Sequence, residues 1–301
     1  MTEGVININK PADWTSQDVC AKLRGRLHIK KNGHTGTLDP MATGVLPVCI
    51  GRATRFIEYY DADFKTYRAV MKLGRTSDTL DSTGTITGQY DFSNVSEADI
   101  RAALNSYTGE ISQIPPKYSA LKVNGRRAYD IARSGGDVEL KSRIVTIASN
   151  ELVSLDPEEG TAEFVVKCSK GTYIRTICDD IGRTLGCGAI MTSLERTGSG
   201  FFGIDDSYDL DKVINMTDTE IEACIIPVDE TLVNLGIIEL DTDRMRAFCN
   251  GNSSGSRCYS VTEEPCVKFS DVYRVYSDGR FLGTGRTDDR RELVPVKVIN
   301  D

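Results

Sequence analysis

Only two histidines, His28 and His34, and one tryptophan occur among the 301 residues. The nine cysteines are scattered and none forms a CxxC pair, so a structural zinc site lacks its usual ligand spacing. They read as reduced thiols, mostly small core residues. No apolar run approaches the roughly 18 residues of a membrane span, and the opening MTEGVININKP has no signal-peptide core. A cytoplasmic protein with no membrane partner is expected. The glycine loop at residues 33–47 holds neither GxxxxGK[ST] nor GxGxxG, which speaks against a phosphate cradle. No serine reads as a nucleophile elbow between a strand and a helix. A hydrolase built on that loop would need a metal or a nucleotide, and neither metal nor cofactor is expected.

Hydrophobic residues make up 40% and charged residues 27%, as in an ordinary soluble protein long enough for one large domain or a large one plus a small one. The net charge of −8 argues at first against nucleic acid, because phosphate contacts need Lys and Arg. Its distribution reverses that argument. Asp205 to Asp243 holds twelve carboxylates and one base, Lys212, so this segment carries −11 and the rest of the chain +3. Bases cluster at Lys22, Arg24, Arg26, Lys30 and Lys31, and again at Lys117, Lys122, Arg126, Arg127 and Arg133. Charge runs are commonly solvated faces. The first of these, however, adjoins the glycine loop.

The pattern predicts a strand at GVINI, then a helix capped by Ser16 with Val19, Leu23 and Leu27 on one side. VLPVCI reads as a buried strand in which Pro47 marks an edge or a bulge. A short helix is expected at 53–60, and KTYRAVMKL alternates, with Tyr67 on the apolar face. Ser96 and Asp99 form a capping box, Asn124-Gly125 marks a turn, and TAEFVVKC is a further strand. Ile174, Ile177, Cys178, Ile181 and Leu185 define one helical face, ended by Gly186. Arg175 sits one residue off that stripe in the first turn, where backbone N–H groups and a guanidinium can meet an anion. Leu194 lies on a strand that leads into a glycine-rich turn. DTEIEACI reads as a helix, and beyond about Leu232 short strands with an Asp278-Gly279 hairpin turn predict a small β-rich domain.

The sharpest feature is GHTGTLDPMATGVLP, Gly33 to Pro47, where glycines and prolines surround one carboxylate, Asp39. Glycine permits close approach and proline fixes φ, so the loop restrains Asp39. A carboxylate kept ionised by an arginine can act as nucleophile or base without metal or cofactor.

GHTGTLDPMATGVLPVCIGRATR, Gly33 to Arg55, resembles the catalytic motif of the TruB family of tRNA pseudouridine synthases. NKPADWTS, KTYRA, RTSDTLDSTG, QIPPKYSALKVNGRRAY, CSKGTYIRTICDDIGRTLGCGA and LERTGSG follow in the family's order, so the resemblance spans nearly the whole chain. It implies an α+β fold, with a mixed, mainly antiparallel catalytic sheet and flanking helices at 1–232, including an RNA-binding insertion at about 85–150. A small β-rich, PUA-like RNA-binding domain is implied at 233–301.

The implied activity is isomerisation of uridine 55 in the tRNA T-loop by an intramolecular transferase. The N1 glycosidic bond breaks, the uracil turns while bound, and C5 bonds to the same sugar carbon. Asp39 matches the catalytic Asp, which attacks the sugar or assists elimination; both routes stay open. Arg175 matches the arginine that pairs with it, Tyr67 the aromatic that stacks on the base, and Leu194 an apolar wall. His34 lies where the flipped base would leave a gap. Lys10 belongs to the first motif and supports the loop among the substrate-binding residues. Lys22, Arg24, Lys30, Lys31, Lys117, Arg126 and Arg127 are expected to meet RNA phosphates. Glu195 stands where the family commonly has Arg. A monomer acting on tRNA without guide RNA is expected; a guide-RNA-dependent enzyme and an RNA-folding module with secondary catalysis are the alternatives.

Overall fold

Strand β1 (Gly4–Lys10) is buried on both faces, with Ile6 and Ile8 in one apolar cluster and Val5 in another. A short β-branched run of this kind suits the middle of a covered sheet. The computed structural model describes residues 3–62, 64–119, 121–123, 125–134, 136 and 140–299. Helix α1 (Ser16–Leu27) is capped by Thr15 rather than by the expected Ser16. The Thr15 hydroxyl accepts from the Asp18 N–H and the Asp18 carboxylate accepts from the Thr15 N–H, which completes a capping box one residue earlier. Strands β2 (Asn32–His34) and β3 (Thr43–Ile50) flank the glycine loop, and a 3₁₀ helix at Gly51–Ala62 replaces the short helix expected there.

Next come β4 (Lys65–Leu73), β5 (Arg75–Ser77), β6 (Ile86–Gln89), α2 (Glu97–Ser106) and β7 (Gly109–Gln113). The Ser96–Asp99 box caps α2 as read from the sequence. A small hairpin, β8 (Lys122–Val123) and β9 (Arg126–Arg127), precedes α3 (Ala128–Arg133); the expected turn residue Asn124 lies outside the described residues. Then follow β10 (Arg143–Asp156), β11 (Thr161–Cys168), α4 (Ile174–Thr184) and β12 (Ala189–Ser199). The remainder holds β13 (Phe202–Gly203), β14 (Tyr208–Asp209), α5 (Leu210–Asn215), α6 (Asp218–Ala223), α7 (Val228–Thr231), β15 (Gly236–Leu240) and α8 (Met245–Cys249). It closes with β16 (Tyr259–Glu263), β17 (Val272–Ser277), β18 (Arg280–Thr287) and β19 (Leu293–Val298).

These elements form two compact units, Met1–Pro40 with Gly44–Asp63 and Ser199–Asp301, and Met41–Thr43 with Phe64–Gly198. In the first, β1 pairs antiparallel with β3 and parallel with β14, and β2 pairs antiparallel with β3. Leu23, Leu46, Ile50, Val213 and Ile221 pack on one side of this sheet, and Phe56, Tyr60, Val228, Leu232 and Val272 on the other. The C-terminal strands form a separate sheet in the order β16-β15-β17-β18-β19, around Ile238, Phe248, Val275 and Leu282. Asp278 and Gly279 turn with φ of 51° and 70°, the left-handed pair that a two-residue hairpin needs.

In the second unit the strand order is β12-β4-β11-β10-β7, with antiparallel pairing from β4 through β7. Alternation in β4 and β11 buries Ala69, Met71, Phe164 and Val166. Helix α4 buries Ile174, Ile177, Cys178 and Ile181, the stripe read from the sequence. Both units together are α+β with mixed, mainly antiparallel pairing. Burial pushes the Cys20 and Cys168 thiols up to about 11, so neither is a reactive thiolate at neutral pH. Among the described residues no helix is long and apolar enough to cross a membrane.

Gly182 separates two stability arguments. Helix propensity alone favours Ala there by about 1 kcal/mol. A Cβ at this position, however, would lie 2.0 Å from the Ala189 backbone nitrogen. Gly182→Ala is therefore expected to destabilise the protein by about 1–3 kcal/mol in urea unfolding, and a stabilised variant would contradict this packing.

Candidate active site

Residues on both sides of Asp39 are held by their backbones. The buried Ser16 hydroxyl accepts from the Leu38 N–H at 2.9 Å and lies 3.3 Å from the Leu38 carbonyl, to which it donates. The Pro40 carbonyl accepts from the Asp13 N–H at 2.9 Å and from Lys10 Nζ at 3.0 Å. Lys10 is 0% exposed and also donates to the Pro11 carbonyl at 2.8 Å and the Trp14 carbonyl at 2.7 Å. These bonds make Lys10 a fastener of the loop. Asp39 itself is half-buried.

The loop departs from β2, where His34, half-buried, pairs with Val48. Pro47 is inside β3 and marks no edge, since β1 pairs along that strand and β2 flanks it at Val48 to Ile50. The Thr35 N–H donates to the Pro47 carbonyl at 3.1 Å, and proline has no N–H to return. The β2–β3 ladder stops there and releases the chain into the loop.

Lys22, Arg24, Lys30 and Lys31 are exposed, as are Lys117 and Arg126; the side chain of Arg127 lies outside the described set. Lys30 and Lys31 line a concavity of about 370 Å³ together with Arg52, Arg55 and Glu3. Arg52 pairs with Glu3 at 2.5 Å, which leaves the rim with a positive excess. Arg26 is committed elsewhere. It donates to Asp218 at 2.8 Å, to the Ile214 carbonyl at 3.0 Å and to the Met216 carbonyl, so it ties α1 to the acidic segment.

Lys10, His34 and Asp39 belong to the first unit, and Tyr67, Arg175 and Leu194 to the second. Tyr67 is buried on the apolar face of β4, opposite Val166 of β11, and Leu194 is buried on β12. Arg175 is buried in the first turn of α4, with its guanidinium 3.6 Å from Asp81 and 3.5 Å from the Thr79 carbonyl. Asp179, one turn further, pairs instead with Arg183 at 2.5 Å. Burial pushes the Asp179 carboxyl up from its ordinary value against the pull of Arg183.

Sequence reading missed Asp81. Its Oδ1 accepts from the Thr79 hydroxyl at 2.7 Å, the Thr83 N–H at 2.9 Å and the Thr83 hydroxyl at 2.6 Å. Its other oxygen faces Arg175. The signal was present in DSTG, an Asx-type turn, but only the fold shows that this turn is buried against Arg175.

A family model described as TruB family pseudouridylate synthase (N terminal domain) matches residues 24–174, and one described as tRNA pseudouridylate synthase B C-terminal domain matches 175–233. The chain belongs to the TruB family of pseudouridylate synthases. It is 41% identical over 296 residues to tRNA pseudouridine synthase B of Clostridium tetani, covering 98% of this chain and 99% of that one. The protein of the same name from Chromohalobacter salexigens is 39% identical over 299 residues, with 99% and 94% covered. Among solved structures, a chain of a Cbf5-Nop10-Gar1 complex matches with a TM-score of 0.76 at 25% identity, covering 99% of this chain and 84% of that one.

Asp81→Asn keeps an oxygen for the turn and removes the charge beside Arg175. Pseudouridylate formation is expected to fall roughly ten- to a hundred-fold, the scale of one charged hydrogen bond. An unchanged rate would show that Arg175 does not depend on Asp81.

Proposed function

We propose that this protein is a tRNA pseudouridine synthase that isomerises uridine 55 of the T-loop, with Asp39 as the catalytic carboxylate. The observation that carries this reading is the loop in which Leu38 and Pro40 are pinned by Ser16, Asp13 and Lys10, so that the carboxylate between them is presented in a restricted set of positions. A group fixed in this way suits a reaction whose barrier is lowered mainly by orientation. The relatives at about 40% identity carry the corresponding name.

The target base must leave its stack before its glycosidic bond can be reached, at a cost of a few kcal/mol. In this reading Tyr67 stacks on the base, Leu194 bounds it, Arg175 supplies counter-charge, and His34 occupies the space that the base vacates. Asp39, ionised, attacks the sugar carbon or assists elimination as the N1 bond breaks. The bound uracil turns and C5 bonds to that carbon, breaking the bond to Asp39 where Asp39 has attacked; the C5 proton is lost and N1 takes one up. No metal or cofactor takes part. Residues 1–232 carry the reaction, with an insertion at about 85–150, and the β-rich 233–301 is a PUA-like RNA-binding domain. Lys22, Arg24, Lys30, Lys31, Lys117, Arg126 and Arg127 bind phosphates, and Arg55 joins Lys30 and Lys31 at the concavity. The enzyme works as a cytoplasmic monomer without guide RNA.

Purified protein with an unmodified tRNA transcript carrying 5-tritiated uridine is expected to release tritium without added protein or guide, and in EDTA. Asp39→Asn is expected to bind the transcript but release none; release by that variant would remove Asp39 from the chemistry. Binding should also weaken with salt. Lys30→Ala with Lys31→Ala is expected to flatten the slope of log Kd against log salt by about 1 to 2, and an unchanged slope would place the RNA elsewhere.

A further inference from the structure

We infer that Gln113 and Arg143 are positioning residues that set the place of Arg175 through Tyr173, an inference that rests on the synthase reading above. Gln113 ends β7, Arg143 begins β10, and the two are register partners in the antiparallel ladder. The chain between them, 114–142, contains Lys117 and Arg126, two of the proposed RNA contacts. Both residues of this neck reach out of the sheet to the same neighbour.

Gln113 is 1% exposed and uses both ends of its amide on Tyr173. Its Nε2 donates to the Tyr173 carbonyl at 3.0 Å, and its Oε1 accepts from the Tyr173 N–H at 2.8 Å. A buried amide is costly unless it is satisfied, so this pairing fixes both partners. Tyr173 is the N-cap of α4, and its side chain makes no capping bond, so its backbone is held by Gln113 instead. Arg143 holds the ring: its guanidinium carbon lies 4.8 Å from the Tyr173 centroid, and the same guanidinium donates to the Gly171 carbonyl.

Gly171 has φ of 88°, and a Cβ there would lie 3.3 Å from that guanidinium, so glycine makes room for the contact. The Arg175 guanidinium stands 5.7 Å from the Tyr173 ring centroid. Stacking of cations on an aromatic ring is attractive at these separations. The order Gln113 and Arg143, then Tyr173, then Arg175, then Asp81 is a continuous path inside one unit. The rival role for Arg143 is direct phosphate contact, because its Nε is buried with no hydrogen-bond partner among the described residues.

The test uses the full chain and the tritiated tRNA transcript, measuring Kd and the single-turnover rate at saturating enzyme. Arg143→Ala and Gln113→Ala are each expected to slow the single-turnover rate by roughly ten- to a hundred-fold, as for a misplaced group, with Kd within about twofold of wild type. Arg143→Lys should recover only part of the rate, since an ammonium lacks the planar guanidinium. Arg143→Ala added to Tyr173→Leu should cost nothing further. A weaker Kd with an unchanged rate would make Arg143 a phosphate ligand and overturn the inference, as would additive losses in the double variant. Thermal melting identifies a variant that has lost its fold; if Gln113→Ala does, the Arg143 pair decides. Wild-type protein that releases no tritium would instead overturn the synthase reading.

Discussion

Lys10 carries an ammonium group into a place with no accessible surface, where three backbone carbonyls accept from it. Removing a charge from water costs several kcal/mol, so the arrangement stands only while those carbonyls stay in position. One of them belongs to Pro40, the residue after Asp39. The cost of burying this lysine is thereby coupled to the shape of the loop. Ser16 acts on the opposite flank, where its hydroxyl meets both polar backbone atoms of Leu38. Asp39 is held from both sides by groups that themselves belong to a helix and a strand of the sheet.

The second unit applies the same logic to a cation. Arg175 is buried at the start of α4, and Asp81, held by Thr79 and Thr83, faces it with one oxygen. Tyr173 lies next to it under the control of Gln113 and Arg143. A side chain supported in this way can keep its orientation when substrate binds, which is what an orientation-dominated reaction requires. Overall acidity is no obstacle to an RNA substrate, because Arg26 binds into the acidic segment while Lys30 and Lys31 stay exposed.

Periodic features were legible in the sequence: β1, the capping box of α2, the buried stripe of α4 and the Asp278-Gly279 hairpin all follow from local pattern. The loop around Asp39 was legible as a restrained carboxylate, but not what restrains it. Ser16 read as a helix cap because its bond to Leu38, 22 residues away, is a tertiary fact, and Thr15 supplies the cap instead. Pro47 read as an edge or a bulge, whereas it ends one ladder inside a paired strand. Asp81 carries no periodic signature, and its meaning comes from Arg175, far along the chain.

The proposed role of the loop around Asp39 is one reaction at one nucleotide. Pseudouridine mapping, by carbodiimide adducts and reverse transcription, on an unmodified tRNA transcript incubated with the protein alone tests it most directly. A single new stop assigned to uridine 55 is the predicted result. A transcript without any stop, or with its stop at another position, would contradict it.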